Sequence, residues 1–457
     1  MRSIICLLLS ILLLASACRK SERVTTDANA KLTIANSQVL FDTIFTSMGS
    51  TTKRLKLVNN NSEAVNVSEI RLAGGNTSAF SLNINGENIL NKSDLVINGQ
   101  DSINLFIKVT INPSAQNLAF LVKDSIILNT NGNRQVIQLL AYGQNAIFIT
   151  ESSISTNTTW TKSLPYIING SLSVKNGVSL TIQPGVKVYF HKDGILNVDG
   201  NLIVNGTVTE PVIFCSDRLE KLYSDEPGQW KGIFLKRNGN GLIKNALIKN
   251  ASVGITSDSL SSNAGPKLIL SNSTIKNMQV AAYIGYHSEL LAFNNLIYNC
   301  GNYLIYGVGG GNYNLKQNTF AGYNLNFPRK TASLSFSDYL SATAYNKLQL
   351  DITNNIIWGS LSNELDIQKK TSTPIQLNLQ NNLIKTSTSS YGNNGNILNT
   401  DPLFINKDVE NFEVSANSVV RKKGADLSND PYFPSFLNKD LKNNNRISPS
   451  TLGSYEK

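Results

Sequence analysis

Asn245-Ala-Leu-Ile-Lys-Asn, Asn272-Ser-Thr-Ile-Lys-Asn, Asn294-Asn-Leu-Ile-Tyr-Asn, Gln317-Asn-Thr-Phe-Ala-Gly, Asn354-Asn-Ile-Ile-Trp-Gly and Asn381-Asn-Leu-Ile-Lys-Thr are six copies of one short string. Their central apolar residues, Ile248, Ile275, Ile297, Phe320, Ile357 and Ile384, are separated by steps of 27, 22, 23, 37 and 27. Self-similarity at that period marks a solenoid whose coils are built from strands. A leucine-rich repeat would carry a Leu-x-x-Leu-x-Leu frame, which is absent, and a propeller blade would be longer. The pattern therefore predicts a right-handed parallel β-helix, in which successive coils stack at roughly 4.8 Å and like residues form ladders. Asn suits the turn that opens each copy because it tolerates left-handed backbone, and its amide is expected to bond the amides above and below.

If the central apolar residue points inward, its neighbour points outward. That second column reads Lys249, Lys276, Tyr298, Ala321, Trp358 and Lys385. Nine of the 16 Tyr fall between Tyr283 and Tyr345, and between Pro227 and Ser337 the only acids are Asp258 and Glu289. Rings stack on the apolar faces of sugars, and lysines attract uronic or sulfated ones. Lys249, Lys276, Tyr298, Trp358 and Lys385 are accordingly the candidate glycan-binding strip, with an acidic polysaccharide as the expected partner.

The whole chain is consistent with an all-β protein. Its 457 residues are 41% hydrophobic and only 16% charged, which excludes disorder for most of its length and leaves room for two or three domains. Abundant Asn, Ser, Thr and Ile with 31 Gly and 12 Pro suit strands and tight turns better than long helices. A net charge of +10 hints at acidic partners without identifying one. No recognition motif for nucleic acid is present, and none is expected as a partner.

The N-terminus speaks to location. Met1-Arg2-Ser3 is a short basic start, and Ile4 to Ala15 is apolar apart from Ser10. That run falls short of the roughly 20 residues a membrane span needs and reads as an export signal. Ala15-Ser16-Ala17-Cys18 follows it and resembles the lipobox of bacterial lipoproteins. The resemblance implies a signal peptide over 1–17, lipidation at Cys18 and a polar tether over 18–30. The protein is then expected on the bacterial outer membrane, held by its acyl chains. Which membrane face it occupies stays open. The later cysteines, Cys215 and Cys300, show no disulfide or metal spacing and read as buried thiols.

Between 31 and 147 the sequence alternates with period two, as in Arg54-Leu-Lys-Leu-Val, Val65-Asn-Val-Ser-Glu-Ile-Arg-Leu and Ile103-Asn-Leu-Phe-Ile-Lys-Val. Turn signals such as Asn59-Asn60-Asn61 and Asn131-Gly132 divide these runs, so a β-sandwich is predicted. The order of Phe41, Gly49, Ile70, Phe80, Pro113 and Gly143 resembles immunoglobulin-like domains of the Hydin and choice-of-anchor type. From 148 onward, Gly177-Val-Ser-Leu-Thr-Ile-Gln-Pro-Gly-Val-Lys-Val-Tyr-Phe, Gly194-Ile-Leu-Asn-Val-Asp-Gly and Gly228-Gln-Trp-Lys-Gly-Ile resemble the opening coils of pectin-lyase-like β-helix proteins. Thr400-Asp-Pro-Leu-Phe and Leu452-Gly-Ser-Tyr-Glu resemble their C-terminal end, which is irregular from about 415. Lipobox, sandwich and β-helix in this order are similar to a set of Bacteroidota lipoproteins.

Solenoids of this shape include enzymes that cleave acidic polysaccharides, so a polysaccharide lyase or glycoside hydrolase is the alternative reading. Glycoside hydrolysis needs two carboxylates roughly 5 to 9.5 Å apart, and elimination needs a cation-holding acidic cluster with a basic residue. Asp258 and Glu289 do not share a repeat position. Glu364 and Asp366, near Asp351, are the carboxylate pair that stands out, and they read as solvated loop residues. Asp217, Glu220, Asp225 and Glu226 form an acidic insertion at a coil end. Two histidines, His191 and His287, argue against a His-rich metal site, and Gly307-Val-Gly-Gly-Gly lacks the Lys of a phosphate loop. Neither a metal nor a cofactor is expected, and adhesive or glycan-binding display is favoured over catalysis.

Overall fold

The structure, a computed structural model, describes residues 23–113, 118–324, 328–341, 343–370, 372 and 374–457. Cys18 and the expected signal peptide over 1–17 lie outside the described residues. The chain divides into two compact units, Met1–Asn145 and Ala146–Lys457.

The first unit packs two sheets on one core. One sheet orders Thr33–Ile34, Lys53–Val58, Ser102–Val109, Phe80–Ile84 and Glu87–Ile89; the other contains Gln38–Phe45, Asn133–Gln144, Phe120–Thr130, Val65–Leu72, Asn91–Lys92 and Leu95–Ile97. Leu55, Leu57, Leu105 and Ile107 of the first sheet meet Phe41, Ile126, Leu128 and Leu139 of the second inside the same cluster. Asn131 and Gly132, with φ of 48° and 77°, make the two-residue turn joining Phe120–Thr130 to Asn133–Gln144. The register slips where Asn129 and Thr130 face Glu69 and Val67. That bulge keeps both Val67 and Ile70 buried although three positions separate them.

The second unit is a parallel β-helix with three sheets. The first sheet stacks the hexad strands, among them Lys187–Phe190, Val212–Ser216, Ala246–Lys249, Thr274–Met278, Leu296–Cys300, Thr319–Gly322 and Ile356–Gly359. In the second, Ile195–Val198, Gly232–Leu235 and Val253–Asp258 lead up to Leu334–Ser337 and Leu365–Gln368. The third runs from Asn201–Asn205 and Asn240–Lys244 up to Leu348–Thr353 and Gln376–Gln380. Two strands, Ala281–Phe293 and Tyr303–Lys316, bend through the second and third sheets without a break. These belong to the shortest coils, which have no residues to spare for loops.

The hexads stack in register as predicted. Val188, Phe214, Ile248, Ile275, Ile297, Phe320, Ile357 and Ile384 pair rung by rung and are fully buried. Each such side chain contributes about 1.5–3 kcal/mol of burial. The residues opening each copy, Asn245, Asn272, Asn294, Gln317, Asn354 and Asn381, hold φ between 48° and 60°, the left-handed turn that Asn tolerates.

The amide ladder, however, belongs to the next residue. Asn295 Nδ2 donates to Asn318 Oδ1 at 3.0 Å, Asn318 Nδ2 to Asn355 Oδ1 at 2.9 Å, and Asn355 Nδ2 to Asn382 Oδ1 at 3.0 Å. The same oxygens accept the backbone N–H of the rung before, and Asn295, Asn318, Asn355 and Asn382 are fully buried. Their side chains turn into the corner, whereas the left-handed residue before them turns its amide outward.

That outward column is covered by the chain's own C-terminus. Lys423 accepts from Asn381 at 2.7 Å, Ala425 from Asn354 at 3.0 Å, Phe436 from Asn294 at 2.5 Å and Asp440 from Asn272 at 2.9 Å. The segment thus descends the solenoid, passing over the Gln317 rung. It then returns: Arg446 Nη2 donates to Asn294 Oδ1 at 2.6 Å, Gln317 to Ser450 at 2.8 Å, and the Gly453 amide to the Asn354 carbonyl at 2.8 Å. We refer to residues 400–457 as the strap.

Candidate functional site

The outward column of the first sheet does not present a strip to water, which corrects the expectation for Tyr298 and Trp358. Their side chains do leave the solenoid, but the strap lies over them, and they are 5% and 7% exposed. Tyr298 packs against Phe412 with the rings tilted and their centres 4.9 Å apart, and it donates to Glu410 at 2.7 Å. Burial, then Glu410, push its phenol above the ordinary range. Trp358 sits in a cluster with Val414, Val420 and Leu452 of the strap. The lysines are engaged as well. Lys276 pairs with Glu410 at 2.5 Å, Lys249 donates to the Ser224 carbonyl at 2.9 Å, and Lys385 donates to the Gly359 carbonyl at 2.7 Å, 5.1 Å from the Trp358 ring. These five residues are adhesive between elements of one chain.

The flagged carboxylates do not converge. Glu364 is fully buried, not solvated, and meets Arg329 Nη2 at 2.7 and 2.6 Å while accepting from the Ser333 hydroxyl at 2.6 Å and the Leu361 amide at 2.9 Å. Asp366 stands on the second sheet and Asp351 on the third. Asp217 pairs with His191 at 2.7 Å, and burial raises its carboxyl above the usual range despite that partner. The insertion carrying Asp217 to Glu226 packs back on the helix: Asn277 donates to Asp225 at 2.9 Å, and Asn250 to the Glu226 carbonyl at 2.7 Å. Cys215 and Cys300 are buried thiols, each pushed up to about 12 by burial. Among the described residues no group of three or more His, Cys, Asp and Glu is placed to hold a metal ion.

The tyrosine-rich interval splits three ways. Tyr283 and Tyr313 fill the core and Tyr298 lies under the strap. Tyr286, Tyr303 and Tyr306 decorate the second sheet, where Tyr303 and Tyr306 stack on each other at 4.4 Å and Tyr286 is 40% exposed.

The concave polar surface is on the third sheet. Glu289, Asn312, Gln349 and Gln376 form one outward ladder; Leu291, Asn314, Asp351 and Asn378 form the next. They line a cleft of about 680 Å³, with Tyr432 of the strap as its wall. Phe293, 5.1 Å from the Tyr432 ring, holds that wall in place. Lys316 stands at the rim between Asp351 at 2.8 Å and Asp430 at 2.6 Å. Burial would lower its ammonium, and the bonds and charges of the two carboxylates outweigh that and raise it. Asp351 also accepts from Asn378 at 2.9 Å and Thr353 at 3.0 Å. Asn314 Oδ1 has no hydrogen-bond partner among the described residues.

These cleft residues were open to discovery by counting. Five and three positions before each left-handed residue stand Glu289 and Leu291, Asn312 and Asn314, Gln349 and Asp351, Gln376 and Asn378. Strand alternation sends both positions outward. Asp430 and Tyr432 carry no comparable signal.

A family model described as a pectate-lyase-like β-helix domain matches residues 152–257. No curated protein matches the chain. Among solved structures, the chain is similar to the catalytic unit of a thermostable GH87 α-1,3-glucanase from Streptomyces thermodiastaticus, at 10% identity, covering 72% of this chain and 77% of that one with a TM-score of 0.23. A family 123 glycoside hydrolase from Clostridium perfringens is 12% identical over 26% of each chain, TM-score 0.18. A PapD-like domain of human CEP192 is 11% identical, covering 28% of this chain and 94% of that one, TM-score 0.18.

Proposed function

We propose that this protein displays its β-helix as a glycan-binding element of the bacterial envelope and that the glycan lies in the third-sheet cleft, along the solenoid axis. The observation that carries the reading is the pair of polar ladders, which repeats donors and acceptors once per coil beside one aromatic wall. An amide offers both donors and an acceptor, and a carboxylate accepts from hydroxyls, so the lining matches a polyhydroxyl chain. Tyr432 supplies a face for a sugar ring. Glu289 and Asp351 make the lining unsuited to an acidic polymer, so the ligand of this cleft is an uncharged one.

The role is binding in preference to catalysis. Of the two carboxylates that line the cleft, Asp351 is paired with Lys316 and Glu289 accepts from the Lys267 amide at 3.1 Å, so the pair is engaged in holding the coils in preference to the acid and base tasks of glycoside hydrolysis. Titration of the full chain with neutral oligosaccharides tests the reading: binding should weaken about tenfold in Tyr432→Ala and in Asn312→Ala/Gln349→Ala, and stay unchanged in Tyr306→Ala. Affinity unaltered by the cleft variants, or release of new reducing ends from the ligand, would sink it.

Attachment through Cys18 is part of the same proposal, on the strength of the Ala15-Ser16-Ala17-Cys18 string. Metabolic labelling with an alkyne fatty acid should tag the protein and miss the Cys18→Ser variant; an unlabelled wild-type chain in the soluble fraction would remove the anchor.

A further inference from the structure

The strap stops one rung short. It caps the outward amides from Asn381 down to Asn272 and turns back at Asp440, so Asn245, the next residue of the column, donates instead to the Gly206 carbonyl at 3.0 Å and borders an open corner. There a second cavity, of about 510 Å³, lies between the turn Asn205–Thr209, the strand end at Lys244, and the strap from Ser435 to Asn443. That is room for a sugar unit.

Its chemistry is opposite to that of the cleft. Two lysines, Lys244 and Lys439, line it, and no Asp or Glu does. Neither lysine has an ion pair among the described residues, whereas Lys276, Lys316 and Lys442 are all matched with carboxylates. The acids closest in sequence are spent elsewhere. Glu210 is bound to Lys162, and Asp440 accepts from the amides of Lys442, Asn444 and Glu456 and from the Asn444 side chain. Around the lysines stand Thr207 and Thr209, whose hydroxyls bond each other and the Glu210 amide, and Asn205, Asn438 and Asn443, whose side-chain amides have no hydrogen-bond partner among the described residues.

We infer that this corner binds an anionic sugar residue, with its carboxylate or sulfate between Lys244 and Lys439 and its hydroxyls on the surrounding amides and threonines. Two lysines without ion-pair partners in one concave, acid-free lining are what such a group requires, because it gains charge-assisted hydrogen bonds without displacing an existing partner. The inference extends the glycan reading to a second site with the opposite charge preference, and it stands on residues the cleft does not use.

Calorimetric titration of the full chain in detergent decides it, with three probes: a uronic-acid disaccharide, the same disaccharide with its carboxyl reduced to an alcohol, and inorganic sulfate. The acidic disaccharide should bind, lose about tenfold in affinity in Lys244→Gln or Lys439→Gln, and lose all detectable binding in the double variant. The reduced disaccharide should bind at least tenfold more weakly than the acidic one. Tyr432→Ala should leave the acidic probe's affinity unchanged, which separates failure here from failure of the cleft. Binding that survives the double variant, binding abolished by Tyr432→Ala, or sulfate binding as tightly as the disaccharide would each overturn the inference.

Discussion

Asn354 and Ala425, 71 positions apart, clasp each other at two points: Asn354 Nδ2 donates to the Ala425 carbonyl at 3.0 Å, and the Ala425 amide donates to Asn354 Oδ1 at 2.7 Å. One side chain thereby acts as a backbone strand partner. It can do so because its own backbone, at φ 60°, turns the amide away from the coil.

This pair yields a first prediction. Asn354→Gly keeps the left-handed turn and loses both bonds, at roughly 0.5–1.5 kcal/mol each. Asn354→Ala adds the left-handed penalty of about 1–2 kcal/mol. Urea unfolding should rank wild type above Gly and Gly above Ala, and limited proteolysis should cut the strap first in both variants.

Asn355 tests the inner ladder. Asn355→Ala leaves the Asn318 amide and side chain without their shared acceptor in a dry corner. With roughly 1–3 kcal/mol for each buried donor left unmatched, the loss should exceed that of Asn354→Gly. Equal unfolding midpoints for Asn355→Ala and Asn354→Gly would contradict the ladder's role.

The buried Arg329–Glu364 pair should respond asymmetrically. Arg329→Met strands a carboxylate that is fully buried, at a cost of about 3–5 kcal/mol. Adding Glu364→Gln removes the charge, and its amide oxygen, placed where Oε2 stood, still accepts from the Ser333 amide and hydroxyl while the Leu361 bond is lost, so the double variant should be more stable than Arg329→Met alone by differential scanning calorimetry.

Alkaline pH should loosen the protein. Burial pushes the Cys300 thiol from 9.0 to about 12, and the Tyr283 and Tyr323 phenols from 10.0 to about 12. A group raised in the folded state lends stability that is complete below its unfolded value and disappears as pH climbs through the folded one. Stability should therefore fall progressively between pH 9 and 12 on account of these groups. Ellman's reagent at pH 8 should find Cys215 and Cys300 unreactive until denaturant is added; fast labelling of the native chain would refute their burial.

The proposed carbohydrate sites show where reading along the chain stops. Lys276, Tyr298 and Trp358 were correctly placed on the outward side of the first sheet, since alternation is a local property of each strand. Their exposure was misjudged, because Glu410, Phe412 and Val420 cover them from more than 60 positions downstream with no repeat to announce it. The third-sheet ladders were within reach, being offset by a constant count from each left-handed residue.

By itself the sequence determined the coil, its inward column and its left-handed corners, all of which follow from periodic residue choice that each strand enforces on its neighbours. Only the tertiary structure decided which of three outward faces meets solvent. A face is closed by whatever folds back on it, and the strap bonds through turns and backbone carbonyls that leave no period in the residues supplying them.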